Sequence, residues 1–333
     1  MKTRGCIGYW AAAIPALVII AAAVSWSGCR KSEPGGVKLA AIVFQEDQFF
    51  RLVLFGMRDA AGKAGVELLE GNSNNKLDKE IELVKTYVAR KVSAILISPL
   101  SKTGSVAAVK LAHDKGITIV AHNTPLDADF PVAYIECDPT DLGRQTGLAA
   151  RRYIQEKLGG KARIAILAFK SQVPEQSNAR VGGFLSEVRQ LPGVEIVAEQ
   201  DAWLPEMAIA KAGDILTANP GVDILYAANE GGTVGAVLAV KKAEKAGKVA
   251  VFGTDASEQL ISFLESSDNI LQAITAQRPV EVGRMAVEFA LKALKGEPVP
   301  PKTYLKGICL WRGDPEGVKA YGRQLKEWMQ GGG

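Results

Sequence analysis

From Val37 onward the chain alternates short apolar or β-branched runs with longer segments in which apolar residues recur every three or four positions. The short runs, Leu39-Phe44, Val66-Leu69, Ala94-Ile97, Thr118-Ala121, Ala162-Leu167, Val194-Ala198, Ile224-Ala227, Val249-Phe252 and Leu271-Ile274, predict strands. The amphipathic segments between them, such as Lys79-Lys91, Val106-Lys115, Leu142-Lys157, Pro205-Asn219 and Thr233-Lys245, predict helices. Near-continuous apolar strands fit parallel sheets covered on both faces. The expected class is α/β, with doubly wound parallel sheets. An extra short strand at Val132-Ile135 interrupts the alternation, and a second series of helices and strands begins after Glu136-Cys137-Asp138-Pro139. That break is read as a first crossing between two lobes.

The first 29 residues follow another pattern. Lys2 and Arg4 precede an apolar run from Ile7 to Val24, no acid occurs before Glu33, and the small residues Ser27 and Gly28 lead into Cys29. This is the pattern of an export signal. A run of about 18 apolar residues also just spans a bilayer, so an uncleaved membrane anchor is the alternative. Ser27-Gly28-Cys29 resembles a bacterial lipobox, in which the signal is cut before a cysteine that carries lipid; Trp26 stands where a leucine is usual. Residues 1–28 are thus expected to be a lipoprotein signal peptide and residues 29–36, with Pro34 and two glycines, a flexible tether. The rest is expected on the extracytoplasmic, periplasmic side, lipid-anchored to a membrane.

Charge and cysteine content narrow the picture. Loss of residues 1–28 removes Lys2 and Arg4 from 40 basic residues and none of the 36 acidic ones, so the net charge of +4 falls to +2. So balanced a surface lacks the basic stripe that a nucleic-acid partner needs. At 47% hydrophobic residues, a body of roughly 300 residues supports large buried cores rather than disorder. Cys6 leaves with the signal and Cys29 is the lipidation candidate, which leaves Cys137 and Cys309 in the body. With only His113 and His122 as histidines, they form no zinc pattern, and no metal or cofactor is expected.

In open α/β sheets ligands bind beyond the carboxyl ends of the strands. The residues there are Asp47, Phe49 and Phe50; Ser98; His122, Asn123 and Thr124; Gln176, Asn178 and Arg180; Trp203; Asn229; Asp255; and Gln277. Carboxylates, carboxamides, one guanidinium and aromatics suit a neutral polyol, whose hydroxyls both donate and accept and whose C–H face covers an aromatic ring. A phosphorylated ligand would need more cations than Arg180. Plain structural roles compete: Asn229 and Asp255 stand where helix N-caps stand, one of Phe49 and Phe50 suits a helix core, Trp203 suits a lobe surface, and Asn178 and Arg180 suit a cap and a surface charge. Enzyme readings find little. Glu230-Gly231-Gly232-Thr233-Val234-Gly235 lacks dinucleotide spacing, Gly62-Lys63 lacks the phosphate-loop pattern, and no nucleophile elbow occurs.

These residues, in this order, resemble the periplasmic sugar-binding proteins of the ribose and glucose/galactose type that feed ABC transporters. The resemblance runs from about Val37 to Gly307. It rests on Asp47-Gln48-Phe49-Phe50, Ile97-Ser98-Pro99, Ala121-His122-Asn123, Arg180-Val181-Gly182-Gly183-Phe184, Ala228-Asn229-Glu230, Val251-Phe252-Gly253-Thr254-Asp255 and Thr275-Ala276-Gln277. Asp47, Asn123 and Trp203 are closer to the glucose/galactose type, whereas Gln277 stands for its asparagine, Pro174 and Gln176 replace its histidine and aspartate, and its calcium loop is missing. The resemblance implies a type I substrate-binding fold: two lobes, 37–137 with 278–307 and 138–277 with 308–333, joined by a three-segment hinge near Cys137-Pro139, Gln277-Pro279 and Lys306-Cys309. It implies a monomer that closes on a monosaccharide, a pyranose favoured, and docks on an ABC permease. Asp47, Asn123, Asn178 or Arg180, Asn229, Asp255 and Gln277 would meet hydroxyls, with Ser98 and Thr124 beside them, while Phe49, assisted by Phe50, and Trp203 stack. It also sets Cys137 at the first crossing and Cys309 beside the third, where an oxidising compartment permits a disulfide. Presentation of the ligand to a sensor kinase or chemoreceptor is the alternative. A LacI-like repressor is disfavoured by the export signal in place of a DNA-binding domain, and an extracytoplasmic hydrolase by the missing catalytic groups.

Overall fold

The computed structural model describes residues 36–331, so the export segment and Cys29 lie outside the described residues. The first lobe's chain runs β1 (Lys38–Val43), α1 (Gln48–Ala64), β2 (Glu67–Asn72), α2 (Leu77–Ala89), β3 (Ala94–Ile97), α3 (Val106–His113), β4 (Thr118–His122) and β5 (Ala133–Cys137). The second series runs α4 (Pro139–Lys157), β6 (Lys161–Ala168), α5 (Pro174–Val188), β7 (Gly193–Asp201), α6 (Pro205–Ala218), β8 (Ile224–Ala227), α7 (Glu230–Lys242), β9 (Ala250–Thr254), α8 (Glu258–Glu265) and β10 (Leu271–Ala276). Four more elements close the chain: α9 (Pro279–Leu294), β11 (Lys302–Leu305), β12 (Ile308–Trp311) and α10 (Pro315–Gln330).

The strands form two six-stranded sheets, ordered β11-β5-β4-β3-β1-β2 and β12-β10-β9-β8-β6-β7. The first is wholly parallel; the second is parallel except for β12, which runs antiparallel to β10. The central strands, such as Ala94–Ile97 and Ile224–Ala227, are buried at every position because helices cover both faces. The outer strands β2 and β7 carry exposed Glu67, Glu70 and Glu195. The short strands β11 and β12 are absent from the apolar runs seen in sequence. Each pairs on one side only; β11, Lys302-Thr303-Tyr304-Leu305, alternates exposed with half-buried residues, and β12, Ile308-Cys309-Leu310-Trp311, is apolar but only four residues long.

The chain passes between the sheets three times, after β5, after β10 and between β11 and β12. The three segments are bonded to one another: the Arg278 amide donates to Cys137 Sγ at 3.1 Å, Arg278 Nε to the Lys306 carbonyl at 3.1 Å, and the Asp138 amide to the Leu305 carbonyl at 2.9 Å. The disulfide that an oxidising compartment would permit is not formed: Cys137 and Cys309 are free thiols. Cys137 sits in the first sheet opposite Leu305 with its sulfur committed to Arg278, whereas Cys309 sits in the second sheet opposite Thr275 and packs against the core under α5. Burial pushes the two thiols up to about 12 and about 11, so both stay protonated.

Glycine decides how closely α4 and α5 cross. A Cβ at Gly143 would collide with the carbonyl of Arg180, and one at Gly183 with the carbonyl of Thr140. That contact fixes the backbone from which Arg180 projects.

One core group stays unsatisfied. His122, at the end of β4, is fully buried, neither ring nitrogen has a partner, and burial lowers its pKa from 6.5 to about 3. The unfolded chain therefore binds a proton on this residue as pH drops through 6.5 while the folded chain does not, so its contribution is harmless above pH 6.5 and destabilising below it. His122→Leu is expected to raise stability by about 1 kcal/mol at neutral pH, by removing unpaired polar atoms. The gap to wild type should widen by about 2 kcal/mol between pH 7 and pH 5. Denaturant titrations at the two pH values check this; a gap independent of pH would show that the histidine is not buried neutral.

Candidate functional site

The carboxyl ends of both sheets' strands open on one cleft of about 650 Å³, walled by both lobes. Asp47, Phe49, Phe50, Asn123, Arg180, Trp203, Asn229, Asp255 and Gln277 all line it. Ser98 and Thr124 do not. Ser98 is wholly buried and its hydroxyl accepts from Asn123 Nδ2 at 3.3 Å, so it holds Asn123 in place from behind; Thr124 is folded under the same loop, its amide donating to the His122 carbonyl. Asn178 is exposed on α5, which corrects its expected role. At 100° per residue, Gln176 and Arg180, four apart, share the cleft-facing side of α5, and Asn178 falls on the other.

Asp255 is the centre of the second lobe's wall. Its carboxylate accepts from Arg180 Nη1 at 3.2 Å, Gln277 Nε2 at 2.7 Å and the Glu230 amide at 3.0 Å, joining α5, the second crossing and the start of α7. It is not a helix cap, since Ser257 caps α8. Arg180 is 5% exposed; Nη1 also donates to the Ala228 carbonyl at 2.9 Å, its Cζ lies 5.1 Å from the centroid of the Phe169 ring, and Nε has no partner. Asn229, by contrast, is the N-cap of α7: Oδ1 accepts from the Gly232 amide and Nδ2 donates to the Trp203 carbonyl at 2.8 Å, which fixes Trp203.

In the first lobe Asp47 caps α1, accepting from the Phe50 amide at 2.8 Å and from Gln45 Nε2. Burial raises its pKa, and these hydrogen bonds only partly offset the effect. Phe50 is 2% exposed and edge-on to both Phe44 and Phe49, so it supports the half-buried Phe49 from below. The Asn123 carbonyl accepts from Tyr134 Oη and, across the cleft, from Gln176 Nε2 at 2.7 Å, a direct bond between the lobes. Asn123 and Asp255 both hold left-handed backbone, with φ of 61° and 73°. Such angles are uncommon outside glycine, though asparagine and aspartate tolerate them best.

The sequence reading passed over other lining residues. Phe169, Gln172, Gln45, Gln48 and Arg51 sit on turns or first helical turns beside the residues it singled out, where strand-end position was the available signal. Glu230, the first residue of α7, is pushed up to about 7 by burial, with the Ser257 hydroxyl opposing and the charges of Asp255 and Asp47 adding. Among the described residues no group of histidine, cysteine and carboxylate side chains could hold a metal ion, and no helix is long and apolar enough to cross a membrane.

The comparisons agree with this geometry. The ABC transporter periplasmic-binding protein YphF of Escherichia coli is 28% identical over 298 residues, covering 87% of this chain and 88% of that one. The D-allose-binding periplasmic protein of the same organism is 27% identical over 253 residues, 74% of this chain and 80% of its own. An ABC transporter periplasmic solute binding protein from Actinobacillus succinogenes, solved with bound D-allose, superposes with a TM-score of 0.76 at 27% identity over 84% of this chain and 99% of that one. Residues 40–298 match the periplasmic binding protein domain, and with both lobes and the cleft in place the chain belongs to that family of solute-binding proteins, which are not enzymes.

Proposed function

We propose that this protein captures a monosaccharide, a pyranose in preference, by closure of the two lobes about the three crossing segments, and delivers it to an ABC permease. The observation that carries the reading is the cleft wall itself. Asp47 and Asn123 from one lobe, and Arg180, Asp255 and Gln277 from the other, surround one space with Phe49 and Trp203. Planar groups that donate and accept suit neighbouring hydroxyls, and aromatic faces suit a sugar's C–H face. The names and ligands of the relatives support the same class. In this reading Ser98 and Asn229 position Asn123 and Trp203, while Gln176 secures the closed arrangement by bonding to the opposite lobe's main chain. The protein acts as a monomer on the extracytoplasmic side, held to the membrane by lipid on Cys29.

A thermal-shift screen of the purified protein against aldohexoses, pentoses and cyclic polyols tests the ligand class. A true ligand at 100 times its Kd adds about 2.7 kcal/mol, and Trp203→Ala should weaken it about tenfold. A set in which no sugar or polyol raises the melting temperature overturns the reading.

Gln176→Ala removes one net hydrogen bond of about 1 kcal/mol from the closed form, so calorimetry should find every ligand weakened about fivefold. Unequal losses among ligands would show that Gln176 reads the ligand instead.

Cys29→Ser should abolish labelling by a radioactive fatty acid. A variant still lipidated and cut at the same position rules out the anchor.

A further inference from the structure

Closure brings like charges together. Six charged side chains line the cleft, the acids Glu46, Asp47, Glu230 and Asp255 and the bases Arg51 and Arg180, and Arg180 is paired with Asp255 at 3.2 Å. That leaves three acids to one base. Asp47, from the first lobe, and Glu230, from the second, both line the cleft, both are largely withdrawn from water, and neither forms an ion pair among the described residues. The charge of Asp47 acts on Glu230 across the gap and Asp255 acts on both, with Arg51 opposing as the smallest contribution. Arg180 adds a complementary demand, because its Nε is buried at the same wall without an acceptor.

A ligand bearing hydroxyls alone would answer Arg180 and leave the acidic surplus, which Arg51 only partly offsets, unmet. One bearing an ammonium beside its hydroxyls would answer both. From this juxtaposition of Asp47, Glu230 and the unpaired Arg180 Nε we infer that the cleft selects an amino-substituted polyol, an amino sugar or aminocyclitol, over its neutral counterpart and excludes acidic sugars. The inference rests on the sugar-binding reading and narrows it. Burial of Glu230, which pushes its pKa to about 7, agrees with it: a cation placed between the lobes would restore the charged form. Charge-assisted hydrogen bonds are roughly twice as strong as neutral ones, so the amino form is expected to bind about tenfold tighter.

The test is calorimetry on the full chain with matched probes: D-glucose, D-glucosamine and D-glucuronate; D-galactose, D-galactosamine and D-galacturonate; D-mannose and D-mannosamine; myo-inositol and its monoamino analogue. The expected result is that the amino member binds at least tenfold tighter in the series that fits the cleft, that the uronates do not bind, and that E230Q and D47N each reduce the preference to threefold or less. Both substitutions keep shape, and asparagine at position 47 still caps α1, so melting curves should confirm folded variants. Equal or tighter binding of the neutral member, or an amino preference that survives both substitutions in folded protein, overturns the inference and leaves the sugar-binding reading standing. No binding by any probe, neutral or charged, overturns both.

Discussion

The buried pairing of Arg180 with Asp255 is the constraint on which the site depends. A guanidinium 5% exposed is tolerable only where its charge is met. Asp255 meets it and at the same time accepts from Gln277 and from the first amide of α7. One carboxylate thus fixes the relative placement of a helix, a helix start and a crossing segment. The glycine contact between α4 and α5 works toward the same end, since it leaves Arg180's backbone a single height above the sheet. The ion pair is less a source of net stability than of position, because its desolvation cost offsets most of its attraction.

Around that centre the two lobes divide the labour unequally. The second lobe's wall is internally bonded: Asn229 spends both ends of its amide on α7 and Trp203, and Phe169 backs the guanidinium. The first lobe offers Asp47 at a helix cap, backed by Gln45, and Asn123 on a turn, met by Ser98, Tyr134 and, from the other lobe, Gln176. The crossing segments are held to one another by hydrogen bonds among Arg278, Cys137, Asp138, Leu305 and Lys306 rather than by a disulfide.

The architecture was legible because central parallel strands are apolar throughout, and Ala94–Ile97 or Ile224–Ala227 can be read without any neighbour's help. Strand ends were legible for the same reason, and with them Asp47, Asn123 and Asp255. What failed to show depends on phase or on partners. Asn178 and Gln176 differ by half a helical turn, and which of them faces the cleft follows from α5 beginning at Pro174, a boundary that periodicity locates only loosely. Asn229 and Asp255 look alike in sequence, each polar and just before a helix, yet one is a cap and the other an acceptor for three elements; only the fold tells them apart. The edge strand β11 lacked an apolar run and β12 is an apolar run of only four residues, and two cysteines at neighbouring crossings turned out to belong to different sheets.

The left-handed backbone at Asn123 and Asp255 carries a further consequence. Each L-residue there gives up on the order of 1 kcal/mol that glycine would not. Glycine at either position would relax the main chain and delete the group that faces the cleft. These two sites, one in each lobe, are therefore where selection for a more robust fold and selection for a working cleft pull in opposite directions.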